Sequence, residues 1–249
     1  MSETILKTEA LCKNYGRLKA VDQVSIAFKS KKVHAVIGPN GAGKTTLLKM
    51  LFGEIRPCGG NIHYKGKDIT DSPPHKKSHL GIGKTYQQPN IFLKSSCFEN
   101  IRIAAQSCLM SSFRFIKAAK NYSAVNAVTL NTLQRVTLDH KRNDMAFQLS
   151  YGEQRQLEIG MMLATGPELL LMDEPLSGMG WEDSKKILDL IKEISHDHHI
   201  ILIEHDMDAV FEIADIITVM SLGKVLITGK PSEVRLNPVA QEVYLGEKL

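Results

Sequence analysis

The chain has 249 residues, of which 43% are hydrophobic and 23% charged, values that exclude a disordered, highly charged protein. The formal net charge of +4 is small and evenly spread, so we expect no nucleic-acid partner. No apolar run approaches the roughly 18 residues that cross a bilayer, and the four cysteines form no CxxC pair, which is typical of reduced thiols inside a cell.

The first third of the chain alternates short apolar runs with turns. This pattern predicts strands at Val24–Phe28, Val33–Ile37 and Asn61–Tyr64. Between the second and third of these, Lys44–Phe52 has its apolar side chains on one helical face and predicts a helix. Asp71–His79 contains two prolines and two lysines, and predicts an exposed loop.

The middle of the chain differs, because strand signals vanish between about Gln88 and Gly166. Helical periodicity dominates there, in Phe98–Gln106, Phe113–Val136 and Gln154–Ala164. We therefore expect a helical insertion of roughly 80 residues.

The last third returns to strands that alternate with helices. Strands are predicted at Leu169–Met172, Ile200–Ile203 and Ile216–Met220, with a late strand between Gly223 and Gly229. Helices are predicted at Glu182–Ile194, around Asp206–Ala214 and in short pieces over Pro231–Leu249. This alternation indicates a mostly parallel α/β sheet. We expect one domain over residues 1–249, with 1–87 and 167–249 forming the α/β core and 88–166 an inserted helical subdomain.

A phosphate-binding loop follows the second predicted strand. Its sequence is Gly38-Pro39-Asn40-Gly41-Ala42-Gly43-Lys44-Thr45, and Thr46 adds a further candidate contact. The motif lies between a buried strand and a helix, which is the context that it requires. Backbone N–H groups and the helix N-terminus favour phosphate there. We expect Lys44 to reach the β- and γ-phosphates and the Thr45 hydroxyl to bind Mg²⁺.

Two acidic residues follow a later strand directly. Asp173 is expected to hold Mg²⁺, directly or through water, and Glu174 to polarise the attacking water near the γ-phosphate. Taken alone, a strand that ends in Asp-Glu is about equally consistent with a helix cap. Together with the phosphate loop it indicates a nucleoside triphosphatase.

A third motif, Leu149-Ser150-Tyr151-Gly152-Glu153, precedes a predicted helix. It resembles the signature motif of the ATP-binding-cassette (ABC) family, usually Leu-Ser-Gly-Gly-Gln, with Tyr151 and Glu153 at the third and fifth positions. In isolation, Ser-x-Gly at a helix start is more often an N-cap. In the family pattern, Ser150 and Gly152 bind a phosphate together with the helix N-terminus.

Further positions resemble the family in order along the chain. Tyr15 resembles the aromatic residue that stacks on adenine, and His205 the switch histidine that contacts the γ-phosphate. Gln87 resembles the Q-loop glutamine that touches Mg²⁺ or water, with its neighbour Gln88 as the alternative. The D-loop of the family corresponds to Ser177–Gly180. Gly180 departs from the family, since many relatives carry an aspartate at this position, and this puts cross-subunit signalling there in doubt.

The resemblance implies a P-loop ABC fold, with an N-terminal antiparallel β part, that hydrolyses ATP with Mg²⁺. Strings such as Leu80–Gln87, Asp173–Met179, Ile203–Met207 and Val243–Glu247 are similar to the ATP-binding subunits of branched-chain amino acid importers. Urea and short-amide importers remain an alternative, as does a soluble regulatory ABC ATPase.

The importer reading also implies a set of partners. We expect a homodimer, or a heterodimer with a paralogous ATPase subunit, that sandwiches two ATP molecules. Integral-membrane permease subunits, and indirectly a periplasmic or extracellular solute-binding protein, complete the assembly, with this chain peripheral on the cytoplasmic side of the inner membrane. Asn90–Leu93 is expected either to face the permease or to pack the subdomain core.

Overall fold

The computed structural model describes residues 3–109 and 123–245. Residues 113–122 of the predicted helix Phe113–Val136, and the chain beyond residue 245, lie outside this described part.

An antiparallel sheet forms the N-terminal part of the fold. Its central strand β1 pairs with β2 and β3 along one edge and with β5 along the other, and β6 extends the sheet beyond β5. The strands are β1 Thr4–Tyr15, β2 Leu18–Val24, β3 Ala27–Lys29, β5 Gly59–Tyr64 and β6 Lys67–Asp68. The predicted single strand Val24–Phe28 was wrong, because the chain leaves the ladder at Ser25 and rejoins β1 further along as β3.

A second sheet of six strands carries the α/β core. Its order is β11-β10-β4-β9-β8-β7, and every neighbouring pair is parallel except β10 with β11. The strands are β4 Val33–Ile37, β7 Ile82–Lys84, β8 Leu169–Asp173, β9 His199–Ile203, β10 Ile216–Ser221 and β11 Lys224–Gly229. This sheet confirms the predicted mostly parallel α/β fold with an N-terminal antiparallel part.

Nine helices are present in the described ranges. They are α1 Lys44–Phe52, α2 Pro74–His79, α3 Cys97–Leu109, α4 Ser123–Arg135, α5 Tyr151–Ala164, α6 Trp181–Ser195, α7 Met207–Ile213, α8 Pro231–Leu236 and α9 Pro238–Leu245. Short 3₁₀ turns lie at Asp139–Lys141 and Ala146–Gln148. None of the described helices is long and apolar enough to cross a membrane.

Helix α2 corrects the prediction of an exposed loop over Asp71–His79. Pro74 opens the helix at a position where a missing N–H is harmless. Lys77 is fully buried, and its ammonium donates to the carbonyl oxygens of Met50 and Leu51 at 3.2 and 3.0 Å, at the end of α1. Burial lowers the pKa of Lys77 to about 8. The polar composition of this segment predicted exposure, but one of its lysines is buried because it caps the C-terminus of α1.

The parallel sheet lies between two apolar layers. Along β8, Leu170 and Met172 join a cluster with α5 and α6, whereas Leu169 and Leu171 join a second cluster with α1 and the antiparallel sheet. Both faces of the strand are therefore buried, which explains its uninterrupted apolar sequence.

The carboxyl ends of four strands converge at one edge of this sheet. Strand β4 leads into the phosphate loop, β8 ends at Asp173, and β9 runs into His205. The outermost strand of this group, β7, leads into residues 85–96, which we call the Q-loop. Ligands of open α/β sheets bind at this kind of edge.

Candidate nucleotide site

The backbone of the phosphate loop approaches its neighbours too closely for side chains at two positions. A Cβ atom on Gly38 would lie 2.0 Å from the carbonyl oxygen of Met220, and one on Gly43 would lie 2.1 Å from that of Ala20. Both glycines also have positive φ angles, 149° and 99°. The tight turn between β4 and α1 thus depends on glycine at these two positions.

Lys44 lies across the mouth of this loop. Its ammonium donates to the carbonyl oxygens of Gly38 and Pro39, at 2.5 and 3.1 Å. The first turn of α1 contains no acidic residue of its own that would offset the positive end of the helix dipole. The combination favours an anionic group at the start of α1.

A cavity of about 340 Å³ opens over the loop. Residues 40–46 form its floor, and Tyr15, Leu18, Gln87 and Glu174 contribute to its walls. Four separate stretches of the predicted site, at Tyr15, residues 40–46, Gln87 and Glu174, are thus brought together around one space.

Thr45 and Asp173 bring two oxygen ligands together at the edge of the cavity. The Thr45 hydroxyl donates to Asp173 Oδ1 at 3.5 Å. Burial raises the pKa of Asp173, and the nearby ammonium of Lys84 opposes that rise. A hydroxyl and a carboxylate are hard oxygen donors of the kind that Mg²⁺ prefers, so this pair fits a magnesium ion.

Glu174 adopts a left-handed backbone conformation, with φ of 48°, which is uncommon for a residue other than glycine. Its N–H donates to the carbonyl oxygen of Ile203 at 2.9 Å, so β9 fixes the turn that follows β8. The Nδ1 atom of His205 lies 4.0 Å from Glu174 Oε2. The candidate base and the candidate switch histidine are therefore neighbours.

Glu204 is a residue of this site that the sequence reasoning missed. Its fully buried carboxylate accepts from the N–H of Leu176 at 2.8 Å and from the N–H of His205 at 3.1 Å. It thus links the segment after β8 to the segment after β9, and burial raises its pKa. The signal in the sequence was an acidic residue placed directly after the apolar run Ile200–Ile203.

Tyr15 ends β1 at the rim of the cavity. Tyr15 is 48% exposed, so it does not pack beneath the early strands as a core tyrosine would. The Lys13 ammonium lies 5.5 Å from its ring centroid. Leu18 lines the same wall and was also missed, because a lone exposed leucine after a turn gives no functional signal.

Comparisons with known proteins identify the family. The sequence matches the family described as ABC transporter over residues 21–177. The high-affinity branched-chain amino acid transport ATP-binding protein LivG of Salmonella typhimurium is 34% identical, covering 99% of this chain and 100% of its own. The protein BraF of Pseudomonas aeruginosa, with the same description, is 35% identical, over 99% of this chain and 100% of its own. The chain belongs to the ABC transporter family.

A solved structure agrees with this assignment. An ATP-binding cassette of an ABC transporter in its ADP conformation is 29% identical, with a TM-score of 0.86, and the match covers 98% of this chain and 100% of that one. This chain is therefore an ABC-type ATPase with a nucleotide-binding cassette.

The signature segment of this ABC ATPase begins α5 and lies apart from the cavity. The Ser150 hydroxyl accepts from the N–H of Glu153 at 3.3 Å, while Glu153 accepts from the N–H of Ser150 at 3.0 Å. Glu153 also pairs with Lys141 at 2.5 Å. The segment is thus a capping box, and neither Ser150 nor Gly152 lines the cavity of its own chain.

Tyr151, the unusual residue of the signature, lies between two other family loops. Its hydroxyl is 3.5 Å from the carbonyl oxygen of Gln87, and its ring lies next to Gly178 of the D-loop. Of the two adjacent glutamines, Gln87 lines the cavity and Gln88 does not, which supports the family assignment to Gln87.

The D-loop ends at Gly180, which caps α6 without a side-chain hydrogen bond. The next residue, Trp181, is exposed, and the ammonium of Lys185 lies 5.3 Å from the centroid of its ring. An aromatic surface therefore follows the position where many relatives carry an aspartate.

Proposed function

We propose that this chain is the ATP-hydrolysing subunit that powers an importer of branched-chain amino acids. The observation that carries the proposal is the convergence of three parallel strand ends, those of β4, β7 and β8, on one cavity, with His205 at the end of β9 beside Glu174. The full-length similarity to LivG and BraF supports the choice of substrate class. The chain acts at the cytoplasmic face of the inner membrane, bound to permease subunits that receive their substrate from a solute-binding protein.

In the proposed reaction, Glu174 acts as general base. A water oxygen attacks the γ-phosphorus of ATP while Glu174 accepts a proton from that water. The bond from the γ-phosphorus to the β–γ bridging oxygen breaks, and ADP leaves with those electrons. Lys44 and the N–H groups of the phosphate loop neutralise the charge on the phosphates, and His205 contacts the γ-phosphate.

Mg²⁺ would be held by Thr45, Asp173 and Gln87. When bound, it neutralises charge on the β- and γ-phosphate oxygens. The hydroxyl–carboxylate pair and the amide oxygen of Gln87 are chemically suited to it. Tyr15, with Leu18 beside it, supplies an apolar surface on which the adenine stacks.

We further propose that two cassettes sandwich two ATP molecules, as a homodimer or with a paralogous subunit. Ser150 is exposed at the N-terminus of α5, apart from the cavity of its own chain, whereas Gly152 in the first turn is buried beside Asp183. The Ser150 hydroxyl and the N-terminus of α5 are therefore available to the phosphates that the other cassette binds, and Gly152 leaves room for this close packing. In this arrangement residues 88–166 act as a subdomain distinct from the core, 1–87 and 167–249.

The Q-loop offers a surface for the permease. Phe92 and Leu93 are 51% and 49% exposed, whereas Ile91 packs partly against the core of the helical region. Two adjacent exposed apolar side chains in the same loop as Gln87 suit an apolar helix end of a membrane partner. The alternative, that they pack the core, does not suit side chains that are half exposed.

Transport measurements test the proposal. Deletion of this gene is expected to abolish uptake of radiolabelled leucine, and wild-type protein, but not Lys44→Ala, is expected to restore it. Loss of urea or short-amide uptake instead would assign the chain to that importer class. Unchanged uptake of all these solutes, with the protein found away from membranes in cells that contain the permease, would favour a soluble regulatory ATPase.

A further inference from the structure

Side chains of α5 bind the backbone of the Q-loop. The two terminal nitrogens of Arg155 donate to the carbonyl oxygens of Tyr86 and Gln87. Glu158 Oε1 accepts from the N–H groups of Tyr86 and Asn90, at 3.1 and 3.2 Å. Two residues spaced one helical turn apart therefore satisfy four backbone groups of a single loop.

Both side chains are buried, and they also bind each other. Arg155 is fully buried, and its Nη1 donates to Glu158 Oε2 at 2.7 Å. A buried ion pair is a weak source of stability, because the cost of desolvating the two charges opposes their attraction. Apolar residues of similar size at the same positions often give an equally stable protein. The distinctive property of the pair is its shape, since the planar guanidinium reaches two carbonyls and a carboxylate at once.

The bonds end at the residue whose side chain lines the nucleotide cavity. Gln87 shares that cavity with Lys44, Thr45 and Glu174. Its carbonyl oxygen accepts from Arg155, and the Tyr151 hydroxyl lies 3.5 Å from the same atom. A fixed carbonyl restricts the backbone dihedral angles of Gln87, and these determine where its side chain can point.

We propose that Arg155, held by Glu158, is a positioning residue that orients Gln87 toward the Mg²⁺–nucleotide complex. The role rests on the proposed function, because it requires Gln87 to act on Mg²⁺. It assigns to the signature helix a second task besides capping: it holds the Q-loop of its own chain in place.

Replacement of Arg155 by lysine tests the role, because lysine keeps the charge but lacks the planar fork. The matched control is Arg102→Lys on α3, since Arg102 forms the same i,i+3 pair with Glu99 but no hydrogen bond to the Q-loop. The measurements are the half-saturating Mg²⁺ concentration for binding of a fluorescent ATP analogue, its affinity in EDTA, and the melting temperature.

We expect Arg155→Lys to raise the half-saturating Mg²⁺ concentration by about 10- to 100-fold, the usual effect of losing a partner that orients a metal ligand. Affinity in EDTA should stay unchanged, because the phosphate loop is not altered. Gln87→Ala should have at least as large an effect, and the double variant should match Gln87→Ala alone. The control should resemble wild type.

If Arg155→Lys does not fold, Glu158→Gln replaces it, since this variant keeps the size of the side chain and removes the charge that holds Arg155. An unchanged Mg²⁺ requirement, or an Arg155 effect that persists in the Gln87→Ala background, overturns the positioning role alone. If Gln87→Ala itself leaves the Mg²⁺ requirement unchanged, both the positioning role and the proposed role of Gln87 are wrong.

Discussion

Replacement of Glu174 by glutamine tests the assignment of the general base directly. Glutamine has the same size and removes only the basic oxygen. The left-handed turn at this residue, with φ of 48°, is held by backbone hydrogen bonds from Glu174 N–H to Ile203 and from Ser177 N–H to Glu174, and these do not involve the side chain. The fold of the site should therefore persist in the variant.

The expected loss is confined to the chemical step. Removal of a general base typically lowers the rate by about 10²–10⁴, which corresponds to about 3–5 kcal/mol of barrier at about 1.4 kcal/mol per tenfold. ATP binding should stay within a few-fold of wild type, because Lys44 and residues 40–46 make up the floor of the cavity. Dimers should accumulate in the presence of ATP.

The assay is phosphate release at saturating ATP, together with nucleotide affinity and size-exclusion chromatography. Glu242→Gln, which changes an exposed carboxylate on α9, is the matched control. Turnover of Glu174→Gln within about threefold of wild type would refute the assignment, since a lost general base costs far more than that. A parallel loss of ATP affinity would instead indicate a role in binding.

Three further predictions concern other parts of the chain. Tyr15→Ala should raise the dissociation constant of ATP by about 5- to 150-fold, the equivalent of about 1–3 kcal/mol of stacking. Tyr15→Phe should bind ATP nearly as the wild type does, and the wild type should also bind the purine GTP. Unchanged ATP affinity and a lower melting temperature in Tyr15→Ala would reject stacking. Phe92→Ala should reduce uptake in cells more than the ATPase activity of the isolated subunit, with exposed Leu236→Ala as control, and equal losses would contradict a permease contact. The pKa of Lys77 is about 8 in the folded protein, against 10.5 for an ordinary lysine. Between these two pH values the unfolded chain binds more protons than the folded one, so the free energy of unfolding should rise with pH, by about 3 kcal/mol in total. Denaturant titrations at pH 7.5 and 10 should show this rise in the wild-type protein but not in Lys77→Met. An equal rise in the wild type and the variant would be incompatible with the buried ammonium.

The parts of the candidate site whose place in the fold could be predicted from the sequence are those encoded by neighbouring residues. The phosphate loop is one continuous segment between a strand and a helix, so its position at the end of β4 follows from local pattern alone. Asp173 and His205 each follow an apolar strand, and parallel strands end at one edge of a sheet. Order along the chain was therefore enough to predict that these residues meet.

The parts that were missed depend on pairs of residues far apart in the chain. Arg155 lies 69 residues along the chain from Tyr86, whose carbonyl oxygen it binds. Glu204 lies 28 residues from Leu176, whose N–H donates to it. A charged residue in an apolar segment carries no indication of its partner until the fold is known. The same applies to Lys77, whose partners on α1 precede it by 26 and 27 residues.

Glu204 connects the two strands whose ends carry the proposed chemistry, and its bonds explain how Glu174 can occupy a costly backbone conformation. A non-glycine residue in the left-handed region carries roughly 1–3 kcal/mol of strain. The turn that contains it is tied down by Glu174 N–H to Ile203, and by Leu176 N–H to Glu204. Each such bond contributes about 0.5–1.5 kcal/mol, so the two together are of the size needed to offset the strain. Glu204 also accepts from the N–H of His205, so the carboxylate that stabilises the turn at Glu174 also holds the backbone of the neighbouring segment at His205. The backbone at the proposed base and the backbone at the proposed γ-phosphate contact are thus linked through one buried carboxylate.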